Sequence, residues 1–134
     1  MKIVKGNVFD SKDDFILVTS NSTLNSRNEL VMGKGAALEL ATRYPQLPAI
    51  AGNIINTIGT KYGMIIFGKI NPTDTQRFGL FQVKYDFTAH ADLELMAYSV
   101  ELVNSFMGKQ HKDWKLSINF PGIGAGRLNR KDVL

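Results

Sequence analysis

The chain has 134 residues and a mass of 14.9 kDa, the size of one domain around one core. Its 16 Lys+Arg against 12 Asp+Glu leave a formal charge of +4, and 44% hydrophobic against 21% charged residues is an ordinary globular balance. Those values exclude a disordered chain and a polybasic nucleic-acid tail but favour an anionic ligand.

Taken in chain order, Ile3, Val4 and Val8-Phe9 predict an opening strand broken by Gly6, without the apolar segment of a secretory leader. Asp10 to Asp14 is a polar turn, and Phe15-Ile16-Leu17-Val18 predicts a strand buried on both faces. Thr19 to Glu29 is rich in Ser and Asn and reads as a long loop, a place where function often lies. Gly33-Lys34-Gly35 leads into a helix over 36–44, ended by Pro45. Pro48 to Ile55 predicts one or two further helical turns. Met64 to Phe67 and Phe78 to Lys84 predict strands on either side of the Asn71-Pro72-Thr73-Asp74 turn.

Asp92 to Met107 is the clearest helix, with Leu93, Met96, Ala97, Val100, Val103 and Met107 on one stripe and Gly108 as its cap. Trp114, Leu116, Ile118 and Phe120 alternate as a strand, followed by Pro121-Gly122-Ile123-Gly124-Ala125-Gly126 and by the start of a helix over 128–134. No apolar run approaches the ~20 residues that span a bilayer. A cytoplasmic protein with no membrane partner is therefore expected.

Cysteine is absent and histidine occurs only as His90 and His111. Disulfides, thiolate zinc sites, cysteine-ligated clusters, cysteine nucleophiles and a three-histidine zinc site are thereby excluded, and neither a metal nor a cofactor is expected. Strands interleaved with helices predict a layered α/β domain, with ligands at the carboxyl ends of its strands. Both glycine segments, 33–35 and 121–126, fall at such positions. Glycine lets backbone N–H groups approach a phosphate, and a helix N-terminus adds donors and partial positive charge. Facing one another, the two loops would grip a diphosphate.

Neither loop fits a common nucleotide motif. Gly35 is followed by Ala36 rather than by a P-loop Lys-Ser/Thr, and the second loop is G-x-G-x-G with Arg127 where a dinucleotide fingerprint needs its last glycine.

The ordered set of segments resembles the macrodomain family of ADP-ribose-binding modules over the whole chain. Lys5-Gly6-Asn7-Val8-Phe9 is similar to the family's opening strand end. Asn21 matches its asparagine after the buried strand, Val31 to Leu38 its V-M-G-K-G segment, Arg43-Tyr44-Pro45 its helix ending, and Asn119 to Gly126 its second phosphate loop. The M-G-K-G signature and Phe81-Gln82-Val83-Lys84 resemble the branch of terminal ADP-ribose hydrolases and antitoxins that remove ADP-ribose from DNA. The 33–45 stretch is equally similar to the yeast-type ADP-ribose-1''-phosphate phosphatase.

The resemblance implies a single macrodomain over 1–134, a three-layer α/β/α fold with a mixed central sheet. Because macrodomains carry a helix and often a strand after the second loop, it also implies a fold that lacks its last helix and strand or is closed by a partner. The implied ligand is ADP-ribose or an ADP-ribosylated macromolecule, with no generic nucleic-acid binding. The implied activity is hydrolysis at or next to the distal ribose C1''; a non-catalytic reader remains the alternative.

By the same resemblance, Asn7 and the Val8 N–H would contact adenine, and Asn21 the distal ribose. The 31–35 segment (Val31, Met32, Gly33, Lys34, Gly35) and the 121–126 segment (Pro121, Gly122, Ile123, Gly124, Ala125, Gly126) would hold the diphosphate. Lys84 would act at C1'', as an ammonium beside the leaving group or as a neutral amine.

The sequence departs from the branch at two places. Asp132 is the sole acid after the second loop, between Arg130 and the chain end and near Arg127, so Asp86 and His90 are further acid–base candidates. The 22–30 insert is longer than in the branch and is expected to reshape the ribose pocket. Set against these roles, Lys84 also reads as a surface lysine, Asn7 as a turn residue, and His90 and His111 as solvated loop residues. Trp114 reads as core or core-edge, and Phe78, Phe81 and Phe87 as mostly core, with stacking of one aromatic on adenine as the alternative.

Overall fold

The computed structural model describes residues 2–4, 8–33, 35–110 and 113–119. Five strands form one sheet: β1 (Lys2–Val4), β2 (Phe15–Ser20), β3 (Met64–Gly68), β4 (Arg77–Gln82) and β5 (Leu116–Asn119). The order is β1-β5-β2-β4-β3, with β3 antiparallel to β4 and the other pairings parallel. The sheet is mixed, as expected.

Helices cover both faces, giving three layers. The apolar run of β2 is split by the pleat. Ile16 and Val18 face α1 (Ala36–Arg43) and α2 (Leu47–Ile58), together with Leu40, Leu47, Ala51, Ile55, Phe78 and Leu80. Phe15 and Leu17 face α3 (Leu93–Gly108), together with Phe81, Met96, Val103, Leu116 and Ile118. Each Leu or Ile buried in this way contributes about 1.5–3 kcal/mol relative to exposure. Among the described residues, no helix is long and apolar enough to cross a membrane.

Several local expectations change; Gly108, expected as the cap of α3, is its last residue, and Lys109 is the cap. Val8-Phe9 is not strand. Val8–Asp10 is a single 3-10 turn that buries Val8 under the α1/α2 face and sets Phe9 against Phe78, because packing outweighs β propensity there. α2 has 12 residues rather than one or two turns. Pro48 lies in its first turn, which needs no N–H from that residue. Leu47, Ala51 and Ile55 then bury one stripe.

The buried stripe of α3 is Leu95, Met96, Ser99 and Val103, while Leu93 is exposed. Met96 and Val103 of the expected stripe are buried and Val100 and Met107 pack against them, while the buried face extends to Ser99, whose Oγ donates to the Gln82 carbonyl at 2.8 Å. Phe78 and Phe81 are core, but Phe87 is 47% exposed on the loop between β4 and α3. Trp114 packs beside Phe15 at the sheet edge, as expected. The expectations for Phe120, His111 and the helix over 128–134 fall outside the described residues.

Candidate functional site

The parallel strands put their carboxyl ends on one edge. Val4 and Val18 both stand opposite Asn119, and Ser20 stands opposite Gln82. The carboxyl ends of β1, β2, β4 and β5 therefore lie side by side, where open α/β sheets take their ligands.

Two buried polar side chains hold this edge from below. Tyr62 is 3% exposed. Its hydroxyl donates to the Asn21 carbonyl at 2.7 Å and is hydrogen-bonded to Ser20 Oγ, so it ties down the end of β2. Burial pushes the phenol well above its ordinary pKa, so it stays a neutral donor. Gln82, fully buried, does the same for β4. Its Oε1 accepts from Gly63 N at 2.8 Å, and its Nε2 donates to the carbonyls of Thr60 at 2.7 Å and Lys84 at 3.3 Å. The 60–63 turn is thus a strut under both strand ends.

Above the strut, Thr23 joins the two rim segments. Its carbonyl accepts from Val31 N at 2.9 Å, and its Oγ1 accepts from Phe87 N at 3.0 Å. Ser22 adds two bonds to the Tyr85 carbonyl, from N at 2.9 Å and from Oγ at 3.0 Å. Asn21 is buried. Its Nδ2 donates to the Val31 carbonyl at 3.0 Å, and its Oδ1 accepts from Thr23 N at 2.7 Å.

The 22–30 insert is a closed excursion rather than a loose loop. Leu24 and Leu30 form an antiparallel bridge, and Asn25 Oδ1 takes the N–H groups of Arg27 at 2.9 Å and Glu29 at 3.0 Å. Its tip lies on α2. Asn28 bonds to Asn53 and Asn56, and its carbonyl comes so close to Gly52 that a Cβ there would sit 1.9 Å away. The insert is therefore clamped by α2.

Val31 and Met32 lead to the glycines. Gly35 has φ +69° and caps α1 with no side-chain hydrogen bond to the first turn. The positive φ explains glycine there. No such reason applies to Gly33, which is exposed, is not among the positive-φ residues and has nothing within 4 Å of where a Cβ would stand. Gly33 stands two residues before Gly35, the N-cap of α1, whose first-turn N–H groups carry partial positive charge.

On the other rim, Lys84 is half-buried and its Nζ donates to the Phe87 carbonyl at 2.9 Å. Asp86 is exposed. Its Oδ1 accepts from Thr88 N at 2.8 Å and Thr88 Oγ1 at 2.7 Å, and these bonds, with the nearby Lys84 charge, hold its carboxyl below the ordinary carboxylate range. At neutral pH it is ionised and has no proton to donate. His90 is exposed on the same loop, as are the aromatic rings of Tyr85 and Phe87.

The structure therefore brings Asn21, Val31 to Gly33, Gly35, Lys84, Asp86 and His90 to one edge, with Val8 buried in the turn after β1. Asn7, Lys34, Pro121 to Gly126 and Asp132 lie outside the described residues. Sequence reasoning passed over Tyr62, Gln82, Thr23 and Ser99 as supporting residues. The signal for Gln82 was a carboxamide ending an apolar strand; Tyr62 gave none, standing in a turn.

No family model matches the sequence, and no match to a curated protein is found. Solved structures are similar. The macrodomain of Mycobacterium tuberculosis DarG matches with a TM-score of 0.73 at 19% identity, over 98% of this chain and 83% of that one. The macrodomain of Thermus aquaticus DarG matches with a TM-score of 0.64 at 16% identity, over 87% of this chain and 74% of that one. Thermosipho africanus DarTG in complex with ADP-ribose matches with a TM-score of 0.72 at 18% identity, over 94% of this chain and 34% of that one. The chain has the macrodomain fold, and its fold is similar to that of the DarG proteins.

Proposed function

We propose that this chain is a macrodomain that binds ADP-ribose along the carboxyl edge and hydrolyses a linkage at or next to the distal ribose C1''. The carrying observation is the pairing of two rims through Thr23: the exposed Gly33 and Gly35 before α1 on one side, and Lys84 on the other. A similar fold bound to ADP-ribose supports the choice of ligand.

In this reading the α1 N-terminus and the N–H groups of Gly33 and Gly35 hold the diphosphate from one side, and the 121–126 segment holds it from the other. Asn7 and the Val8 N–H take the adenine. Asn21 has committed one Nδ2 hydrogen to Val31, and the second serves a ribose hydroxyl. Lys84 Nζ, a donor to the Phe87 carbonyl, turns its donor to the ligand and stabilises the charge that develops on the leaving group while water adds. The leaving group is a phosphate when the substrate is ADP-ribose-1''-phosphate, and a protein or nucleic-acid group when it is an ADP-ribosylated macromolecule.

One observation favours the reader alternative: Asp86, an acid beside Lys84, is held ionised by Thr88 and offers no proton. A proton donor then comes from His90, Asp132 or water.

Calorimetry with ADP-ribose tests the first half of the proposal, and absence of binding at high micromolar ligand overturns it. Turnover of ADP-ribosylated DNA, ADP-ribosylated protein and ADP-ribose-1''-phosphate tests the second half. Binding without turnover of any of the three makes the chain a reader.

A further inference from the structure

We infer that Gln82 is a positioning residue for Lys84: its buried carboxamide sets how the chain leaves β4 and so where the lysine ammonium stands. This rests on the reading of Lys84 given above.

A buried amide loses its hydration. A carboxamide with no exposed surface is tolerated only with its hydrogen bonds made. Here all are specific. Oε1 takes the Gly63 N–H, and the two Nε2 hydrogens go to the carbonyls of Thr60 and Lys84. Turning the amide over would set its oxygen against two carbonyl oxygens, so a single orientation satisfies the site. A glutamate carboxylate would meet the same two oxygens, which is why the residue is an amide.

The main chain around it is equally committed. Gln82 N donates to the Gly63 carbonyl at 2.7 Å, and the Gln82 carbonyl accepts from Ser99 Oγ at 2.8 Å. Val83 N donates to Ser20 O at 3.0 Å, and Val83 O accepts from Asp92 N at 2.7 Å. Tyr85 O is held by Ser22. Between Val83 and Tyr85, it is the Gln82 side chain that holds the Lys84 carbonyl. Release of that carbonyl frees the peptide after Lys84 to rotate. A long side chain magnifies such a rotation at its tip, and misplacement by about 1 Å costs up to about a hundredfold in rate.

The test is Gln82→Met, near in volume and without the three bonds. Expected are an ADP-ribose Kd within about threefold of the wild-type value, a kcat lower by tenfold or more, and no further loss when the change is made in a Lys84→Ala background. An unchanged kcat, or the same fold loss with and without Lys84, overturns the inference. If the Met variant does not fold, Gln82→Glu is compared with wild type across pH. The neutral acid accepts from Gly63 and donates to one carbonyl, so its relative turnover rises as pH falls; a flat ratio overturns the inference. If the wild-type chain neither binds nor cleaves its substrates, the proposed function fails on its own. The Lys84 Cε resonance in carbon-13 lysine NMR then decides: a shift in Gln82→Met supports positioning, and an unchanged resonance overturns it.

Discussion

The two edges of the sheet spend similar polar chemistry in opposite ways. At the amino edge the groups close on one another. Ser117 Oγ donates to Asp13 Oδ2 at 2.5 Å and lies 2.8 Å from Ser11 Oγ, and Asp14 Oδ2 takes the Lys115 N–H at 2.9 Å. Gln76 Nε2 spans the Ser11 and Asp13 carbonyls, at 2.7 and 2.8 Å, and the Arg77 guanidinium lies 4.4 Å from the centre of the Trp114 ring. These bonds fasten the start of β2 to its neighbours. At the carboxyl edge the closed bonds lie below, at Tyr62 and Gln82, while Gly33, the α1 N-terminus and the Lys84 loop face outward. A polar group that binds its neighbour maintains the fold, whereas one backed by a buried bond and left open is available to a ligand.

If that contrast holds, Lys84→Ala has the largest effect. Turnover falls about 10²–10³-fold, the ~2.7–4 kcal/mol of one lost transition-state donor, while ADP-ribose affinity by calorimetry changes little. At the other edge, Asp13→Ala removes the acceptor of a fully buried serine and costs about 1–3 kcal/mol in denaturant unfolding. It leaves the ADP-ribose Kd alone, and a change in both would erase the distinction between the edges.

Gly33→Val sharpens the distinction from the ligand side. Its side chain enters open space, so the melting temperature is held, but it covers the approach to α1 and raises the ADP-ribose Kd about tenfold, or ~1.4 kcal/mol. A melting loss with an unchanged Kd would make Gly33 a structural residue like those at the amino edge.

The smallest effect belongs to Asp86. Its folded pKa lies below its ordinary 3.8, so its bonds to Thr88 are present above that value and are lost as pH falls through the lowered one. The Thr88 amide followed by NMR should titrate below pH 3.8. Asp86→Asn, which keeps an acceptor for Thr88, should change turnover less than threefold; a larger loss would give the carboxylate a part in the chemistry.

Where local pattern and burial agree, the sequence was legible. β2 is a continuous apolar run and is buried on both faces. α3 falls where its apolar period placed it, and Asp92 caps it, its carboxylate accepting from Leu95 N at 3.0 Å. The glycines at 33 and 35 mark a strand-side loop opening a helix. The misses have tertiary causes. Val8 becomes a turn because the core takes its side chain; α2 lengthens because Pro48 falls in a first turn; and Ser99 joins the buried face of α3 with its Oγ on the Gln82 carbonyl. The insert read as an open loop because nothing in 22–30 announces Gly52, Asn53 and Asn56, its partners on α2.

The sequence by itself determined the layered class, the buried central strand, the two principal helices and the candidates on either rim, because hydrophobic period, caps and glycine placement are local. Only the tertiary structure decided which candidates share an edge, that Asp86 is held ionised, and that Tyr62 and Gln82 lie beneath the site. The shared edge and the buried struts arise from hydrogen bonds between residues about 20 to 60 positions apart, such as Tyr62 with Asn21, Gln82 with Gly63 and Ser22 with Tyr85, whereas the Asp86 carboxylate is held by Thr88, two residues away. The buried polar groups of one segment choose their partners in another, and that choice exists only once the chain has closed around them.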